Sequence, residues 1–296
     1  MKQNQTVREA GHPPQASLKK RSTRLGFFQS FAAVPHTVWT VLFIVAPMLF
    51  VLYFAFTDAN GQFALSNISG LSQYTNVFIL SIAFALIATV VCLIIGYPLA
   101  YFISKAKPKN QKLFIMLLML PMWTNLLIRT YSIMALLDNG GIINTVLMQT
   151  LGVDEPVIRF IGTKGAVIFG MVYDFLPYMV LPIYTCVSKI DKNMWEAASD
   201  LGCTPSQTLV KVILPLSRSG IISGVTMVLV PSISTFYISQ KLGGGTFEVI
   251  GDTIERQFVT GALNVGAAIS LVMMILILIS ITVMNRFSDE DGGIIV

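Results

Sequence analysis

Charged residues are scarce in this chain. Only 12% of its 296 residues are Asp, Glu, Lys or Arg, about half of the roughly 25% that soluble globular domains carry. The mean hydropathy is +0.72. This composition excludes an ordinary soluble domain and indicates an integral membrane protein.

Residues that catalyse reactions or bind metals are also few. The chain has three cysteines and two histidines, and no pair of cysteines has C-x-x-C spacing. These residues are Cys92, Cys186, Cys203, His12 and His36. The glycine-rich run Leu242 to Phe247 lacks the Lys-Ser/Thr ending of a phosphate-binding loop. We therefore predict no catalytic site, no metal site and no cofactor bound by this chain.

Long apolar runs take up most of the sequence. Six of them are long enough, at about 20 residues each, to cross a hydrocarbon core as helices. They are Val38 to Phe56, Phe78 to Ile103, Leu113 to Leu137, Gly165 to Val187, Gly220 to Ser239, and Ala262 to Met284. None alternates like a membrane β-strand. The predicted fold class is therefore an all-α integral membrane protein with six transmembrane helices.

Basic residues are unevenly distributed between the two sides of these spans. Fifteen fall on one side, whereas Arg159, Lys164, Lys241 and Arg256 fall on the other. Since Lys and Arg favour the cytoplasmic side, both termini are predicted to be cytoplasmic. The predicted segments are a basic cytoplasmic tail over residues 1–35, a six-helix transmembrane domain over 36–287 and a cytoplasmic tail over 288–296.

One polar stretch, "WEAASDLGCTPSQTLVKVILPL" at residues 195–216, separates the fourth and fifth runs. Its pattern predicts a helix, a turn and a second helix. Asn193 and Glu196 have the spacing of a capping box for the first helix, and Gly202 fits the left-handed position that ends it. An apolar stripe at helical spacing is predicted along this helix. It consists of Met194, Ala197, Ala198 and Leu201.

The second helix of the stretch also has defined ends. Thr204, Pro205 and Gln207 supply its cap, first-turn proline and third-position partner, and Pro215 is predicted to stop it. We name residues 193–215 the coupling hairpin. Its local pattern fits a loop that packs on its own span ends as well as it fits a docking element.

The spacing of the coupling hairpin resembles the EAA loop of ABC importer permeases. That pattern is E-A-A, three residues, G, nine residues, then I-x-L-P, with Val212 at the Ile position here. The matching residues are Glu196, Ala197, Ala198, Gly202, Leu214 and Pro215. In that family the helix around E-A-A docks into a groove on a cytoplasmic ATPase subunit, which passes ATP-driven motion to the spans.

The resemblance implies a role for each matching residue. Ala197 and Ala198 keep the docking face small, and Gly202 permits the turn. Glu196 offers a carboxylate to the ATPase or caps its own helix. The segment "ILPL", which contains the last two matching residues, ends the hairpin and leads to the fifth span.

Five further segments resemble the PotB-type permeases of spermidine/putrescine ABC importers, and the likeness extends from about the first span to the sixth. The segments are "YPLAYFISKAKPKNQ" (97–111), "LPMWTNLLIRTYS" (120–132), "NGGIINTVL" (139–147), "YMVLPIYTCVSKID" (178–191) and "FYISQKLGGG" (236–245). The resemblance implies a type I ABC importer permease of the prokaryotic inner membrane. It also implies a second homologous permease, an ABC ATPase dimer that uses ATP and Mg, and an extracytoplasmic polyamine-binding protein.

A polyamine route needs carboxylates and aromatic faces, because both attract ammonium groups. Asp174 is the only acidic residue inside a predicted span, and such residues are functional candidates by default. The candidate aromatic residues of the pathway are Trp123, Tyr131, Tyr173, Tyr178, Phe236 and Tyr237. Each ring could instead serve in packing or at the membrane interface.

Arg129 is the only basic residue inside a predicted span and is also a candidate pathway residue. Counted from the outer ends of their spans, Arg129 and Asp174 are both about 12–14 Å deep at 1.5 Å per residue. An ion pair between them and a carboxylate that faces substrate are equally compatible with the sequence.

Two alternative functions remain open. An ABC permease for another small solute, such as an organic amine, a phosphonate or an oxyanion, would share the architecture, and Arg129 would suit an anion. A secondary transporter would need no docking hairpin, and the sequence shows no internal inverted repeat. The hairpin therefore favours an ABC permease.

Overall fold

The computed structural model describes residues 34–58, 60–153, 155–156 and 159–289. All but the last two residues of the predicted 1–35 tail lie outside the described residues. The same holds for the 288–296 tail, apart from residues 288 and 289, which continue the last helix. The chain divides into two units, Met1–Phe50 and Val51–Val296.

The described part of the chain is almost entirely helical. Its helices of six or more residues, in order, are α1 Val34–Ala55, α2 Thr75–Lys105, α3 Pro108–Met119, α4 Leu126–Leu137, α5 Ile142–Leu151, α6 Lys164–Val187, α7 Lys192–Asp200, α8 Pro205–Leu216, α9 Arg218–Ser234, α10 Tyr237–Leu242, α11 Ile250–Val259 and α12 Leu263–Asp289. Two shorter helical segments, Ser66–Ser69 and Gly70–Tyr74, lie directly before α2. Within the described residues, extended pairing is limited to an isolated bridge between Thr57 and Phe63. The predicted all-α class is confirmed.

Among the described residues, five segments are apolar and long enough to cross a membrane. They are Val34–Ala55, Ser66–Lys105, Leu126–Leu151, Lys164–Val187 and Leu263–Arg286. A sixth results if α8 and α9, which meet at a bend of 71°, count as one span. The predicted number of six therefore stands when this broken pair is included.

Two predicted spans differ from the helices that form. The run Leu113 to Leu137 is not one helix, because it passes through a 3-10 turn at Leu120–Trp123 and extended residues before α4 begins. Pro121 lacks the N–H that an α-helix would need there. The predicted span Gly220 to Ser239 ends early as well, at Ser234, and α10 starts only at Tyr237.

The core of the second unit lies among α2, α6 and α9. Cys92, Met179 and Val228, one from each helix, are fully buried in the same apolar cluster. Close approach of α9 to α6 depends on two glycines one helical turn apart. A Cβ on Gly220 would lie 2.7 Å from the Cys186 Cβ, and one on Gly224 would lie 2.9 Å from the Met179 Sδ.

Candidate functional site

The first helix of the coupling hairpin is capped two residues earlier than its sequence predicts. α7 begins at Lys192, and the Asp191 carboxylate accepts a hydrogen bond from the Asn193 backbone N–H at 3.0 Å. The prediction that Asn193 caps this helix together with Glu196 is therefore wrong. Asp191 is an equally good capping residue, and Glu196 is left exposed on the second turn.

The turn of the hairpin has the predicted left-handed glycine. Gly202 has φ +80°. The Cys203 N–H donates to the Ala198 carbonyl at 3.0 Å and the Gly202 N–H to the Ser199 carbonyl at 2.9 Å. This pair of bonds is a Schellman motif, which satisfies carbonyls at the helix end. The turn is therefore closed by backbone hydrogen bonds.

The second helix starts on the predicted capping box. The Gln207 side chain accepts from the Thr204 backbone N–H at 2.9 Å, and the Thr204 hydroxyl accepts from the Gln207 N–H at 3.4 Å. The predicted stop at Pro215 is wrong by one residue, because α8 continues to Leu216. Pro215 lies in the first turn of the helical segment after a π turn over Leu209–Ile213, where a missing N–H is tolerated.

The predicted apolar stripe on α7 divides between two faces. Ala198 is only 5% exposed and faces the protein, as the partly buried Trp195 does. Met194 and Ala197 are exposed, and Leu201 is 85% exposed. We call these three outward residues the apolar face of the hairpin. The hairpin thus exposes an apolar face beside its turn.

The end of α2 holds both arms of the hairpin. The Lys105 Nζ lies 3.4 Å from the centroid of the Trp195 ring, and the Tyr101 ring lies 5.6 Å from that ring. Two residues after the other arm ends, Ser217 at the 71° bend is fully buried, and its hydroxyl is 2.9 Å from the Tyr97 hydroxyl. A cation–π contact and a buried hydrogen bond thus connect the hairpin to one membrane helix.

Arg129 and Asp174 form an ion pair between α4 and α6. The Arg129 Nε contacts the Asp174 Oδ1, and the two side chains are 10% and 1% exposed. The Arg129 Nη1 also donates to the Pro121 carbonyl at 3.0 Å, and the guanidinium lies 6.0 Å from the Tyr173 ring centroid. Arg129 therefore adds a hydrogen bond to the Pro121 carbonyl, which also accepts from the Thr124 N–H and hydroxyl, and neutralises Asp174.

The candidate aromatic residues do not share one cavity in the described part of the chain. Tyr173 lines a cavity of about 390 Å³ together with Arg129. Tyr178 lines a separate cavity of about 610 Å³ between α6 and α9. Phe236, in the break after α9, lines an apolar cavity of about 710 Å³ against α11 and α12. Trp123 belongs to the turn before α4 and is 74% exposed.

Tyr131 and Tyr237 lie together where α4 meets α10. Their ring centroids are 6.0 Å apart and the ring planes are inclined by 78°. Lys241, one turn after Tyr237 on α10, places its Nζ 5.1 Å from the Tyr131 centroid and 5.6 Å from the Tyr237 centroid. We call these three residues the tyrosine–lysine cluster.

Helix α10, which carries Tyr237 and Lys241, is fixed against α11 by polar contacts. The Ser239 hydroxyl donates to Asp252 at 2.9 Å, and the Gln240 amide donates to Glu255. Asp252 also accepts from the Val249 N–H at 3.0 Å. Burial raises the pKa of Asp252 to about 6, although both hydrogen bonds lower it.

Sequence reasoning missed three contacts of these sites. Lys241 was counted only as one of the four basic residues on the outer side of the spans. Its four-residue spacing from Tyr237 on a helix was a signal that could have been used. Lys105 and Tyr97 gave no comparable signal, because their partners Trp195 and Ser217 are about 90 and 120 positions away in the chain.

Comparisons with known families and proteins agree with one another. A model of the family described as "Binding-protein-dependent transport system inner membrane component" matches residues 21–290. The spermidine/putrescine transport system permease protein PotB of Haemophilus influenzae is 37% identical over 268 residues, which are 88% of this chain and 93% of that protein. PotB of Escherichia coli K12 is 38% identical over 263 residues, 84% of this chain and 94% of its own length.

The fold is also found in a solved structure. A bacterial ABC transporter involved in the import of the acidic polysaccharide alginate contains a chain that superimposes with a TM-score of 0.73. The superposition covers 90% of this chain and 96% of that one, at 19% sequence identity. At that identity the likeness concerns the fold alone, which is that of an ABC importer permease.

Proposed function

Because the chain belongs to the family of binding-protein-dependent transport system inner membrane components, we propose that it is the permease subunit of an ATP-driven importer of spermidine and putrescine. The observation that carries this proposal is the 37–38% identity, over 84–88% of the chain, to PotB permeases. The chain is a multi-pass inner-membrane protein, and it would form half of the translocation pathway with a second homologous permease.

The proposed partners supply the steps that the permease lacks. A cytoplasmic ATPase dimer would bind and hydrolyse ATP with Mg, and an extracytoplasmic polyamine-binding protein would deliver substrate. The chain itself is a transport subunit and would need no catalytic site of its own. The placement of basic residues supports a cytoplasmic position for both termini and for the coupling hairpin.

The coupling hairpin is the proposed contact with the ATPase. Its turn is closed by the Schellman motif and its second arm by the capping box, so the hairpin would move as a unit. The apolar face of Met194, Ala197 and Leu201 is exposed, and Glu196 beside it offers a carboxylate. Gly202, Leu214 and Pro215 would set the shape of the two arms.

The proposed substrate pathway uses the charges and rings on α4, α6 and α10. Asp174 would supply the carboxylate, which Arg129 neutralises in this structure. The rings of Tyr131, Tyr173 and Tyr237 would supply faces for ammonium groups. Trp123, Tyr178 and Phe236 lie apart from these and would contribute at other positions along the route.

Reconstitution tests the function directly. The complete transporter in proteoliposomes should take up spermidine or putrescine only with internal ATP, and omission of this chain should abolish uptake. Uptake that persists without the ATPase would indicate a secondary transporter. ATP-dependent uptake of a phosphonate or an oxyanion, with no polyamine uptake, would contradict the proposed substrate class.

The docking surface has its own test. Leu201→Asp places a charge on the apolar face without disturbing a buried contact, since Leu201 is 85% exposed. We expect the ATPase to be lost from the purified complex, while Leu201→Met, the control, retains it. Retention of the ATPase by the Asp variant would contradict docking at this face.

A further inference from the structure

The short helix α10 presents a different set of contacts on each of its faces. Ile238 and Leu242 are fully buried against α6, where a Cβ on Gly170 would lie 2.4 Å from the Leu242 Cδ1. Ser239 and its neighbour Gln240 bond to α11. Tyr237 and Lys241 are left to face Tyr131. Two residues of the tyrosine–lysine cluster, Tyr237 and Lys241, therefore lie on a helix that is held in place by contacts with both α6 and α11.

Lys241 is held in this cluster by aromatic faces. Its ammonium lies within 6 Å of both tyrosine centroids, which is the distance range of a cation–π contact. Among the residues that the structure describes, no carboxylate lies within salt-bridge distance of Lys241. The rings thus bind a primary ammonium group that no ion pair with another described residue fixes in place.

The cluster is also open. Tyr131 is 46% exposed, and Tyr237 and Lys241 are only partly buried. A cation–π contact at such a site is weak enough to exchange with another cation. A polyamine carries the same group as Lys241, an ammonium on a flexible alkyl chain, so the two would compete for the same pair of rings.

We propose that Lys241 is a tethered competitor of the substrate at the Tyr131–Tyr237 pair. A substrate ammonium displaces the Lys241 ammonium when it binds, and Lys241 returns to the rings when substrate leaves. Because Lys241 is attached to the site, it acts at a high effective concentration and lowers the affinity of the rings for substrate. A transport site must release its ligand in each cycle, and this competition assists release. The inference rests on the proposed polyamine transport.

The test is the KM for spermidine uptake by the complete reconstituted transporter. Lys241→Met keeps the length of the side chain and removes the cation, so we expect KM to fall about threefold to tenfold. Lys241→Arg keeps a cation and should stay within about twofold of wild type. Lys164→Met is the matched control, because it removes an exposed lysine from the first turn of α6 and should leave KM unchanged.

Several outcomes would overturn the inference. An unchanged or higher KM in Lys241→Met would do so, as would an equal fall in the Lys164→Met control, which would indicate a general charge effect. If Lys241→Met does not assemble, Lys241→Gln is measured instead, and failure of both variants to assemble assigns Lys241 to packing. Absence of polyamine uptake by the wild-type complex would overturn the proposed function and this inference together, whereas wild-type uptake with an unresponsive KM overturns the inference alone.

Discussion

Single and double substitutions of Arg129 and Asp174 can distinguish a structural role of this ion pair from a role in binding substrate. The two side chains are 10% and 1% exposed, so a single substitution leaves a buried charge without its partner, at a cost of about 3–5 kcal/mol. After Asp174→Asn, Arg129 keeps the Pro121 carbonyl and the Tyr173 ring. We therefore expect about 3 kcal/mol for this variant, the lower end of the range.

Arg129→Gln should cost more than Asp174→Asn. It leaves the Asp174 carboxylate buried, and the second oxygen, Oδ2, has no hydrogen-bond partner among the described residues. We expect about 5 kcal/mol, the upper end of the range. The double variant carries two neutral amides in place of two charges and should be less destabilised than either single variant. Since the two single costs total about 8 kcal/mol and the double cost would be below about 3 kcal/mol, the expected coupling energy is more than about 5 kcal/mol.

The assay is thermal inactivation of the detergent-solubilised complex at one pH and salt concentration, followed by uptake measurements on variants that assemble. Destabilisations that add in the double variant would refute the reasoning, since they would mean that the two charges do not interact. A stable double variant that transports polyamine normally would assign the pair to structure. A stable double variant without uptake would assign the pair to the pathway.

Three further predictions concern other parts of the chain. Trp195→Ala removes the ring beneath Lys105, so uptake per ATP hydrolysed should fall about fivefold, while Trp195→Phe should stay close to wild type; a normal ratio in the Ala variant would argue against this link. Gly220→Ala should destabilise the complex by about 1–3 kcal/mol, because its Cβ would lie 2.7 Å from another Cβ, whereas Gly140→Ala, with nothing within 4 Å, should not; equal heat stability of the two variants would contradict the packing. Because burial raises the pKa of Asp252 to about 6, its contribution to stability is present at low pH and is lost as the pH rises through 6. Wild type should therefore be less heat-stable at pH 8 than at pH 5, and Asp252→Asn should reduce that difference; an unchanged difference would refute the assignment.

The sequence predicted best those features that depend on neighbouring residues. Gly202 and the Thr204–Gln207 box were found because a left-handed turn and a helix cap are set by residues within about four positions. The cap of α7 was placed on Asn193 and not on Asp191 because both residue types cap helices and the boundary is uncertain by one or two residues. Local chemistry thus identified the hairpin but not its first residue.

Features that depend on tertiary contacts were not predictable from one sequence. The break before α4 is a partial exception: it has no hydropathy signal, because the apolar run around Pro121 continues without a change in composition, but the proline itself was a local signal that could have been used. The stripe on α7 has helical spacing, but which face meets the protein is decided by Trp195 and its contact with Lys105. The pairing of Arg129 with Asp174 could be offered only as one of two options, because depth in a span says nothing about orientation around the helix axis.

The two attachments of the coupling hairpin to α2 have a mechanical consequence. Tyr97 and Lys105 lie eight residues apart on one helix, a separation of about 12 Å at 1.5 Å per residue. A rigid body pinned at a single point can swivel in every direction, whereas one pinned at two points retains only rotation about the line that joins them. A push on the hairpin tip would therefore reach the membrane helices as torque about a defined axis.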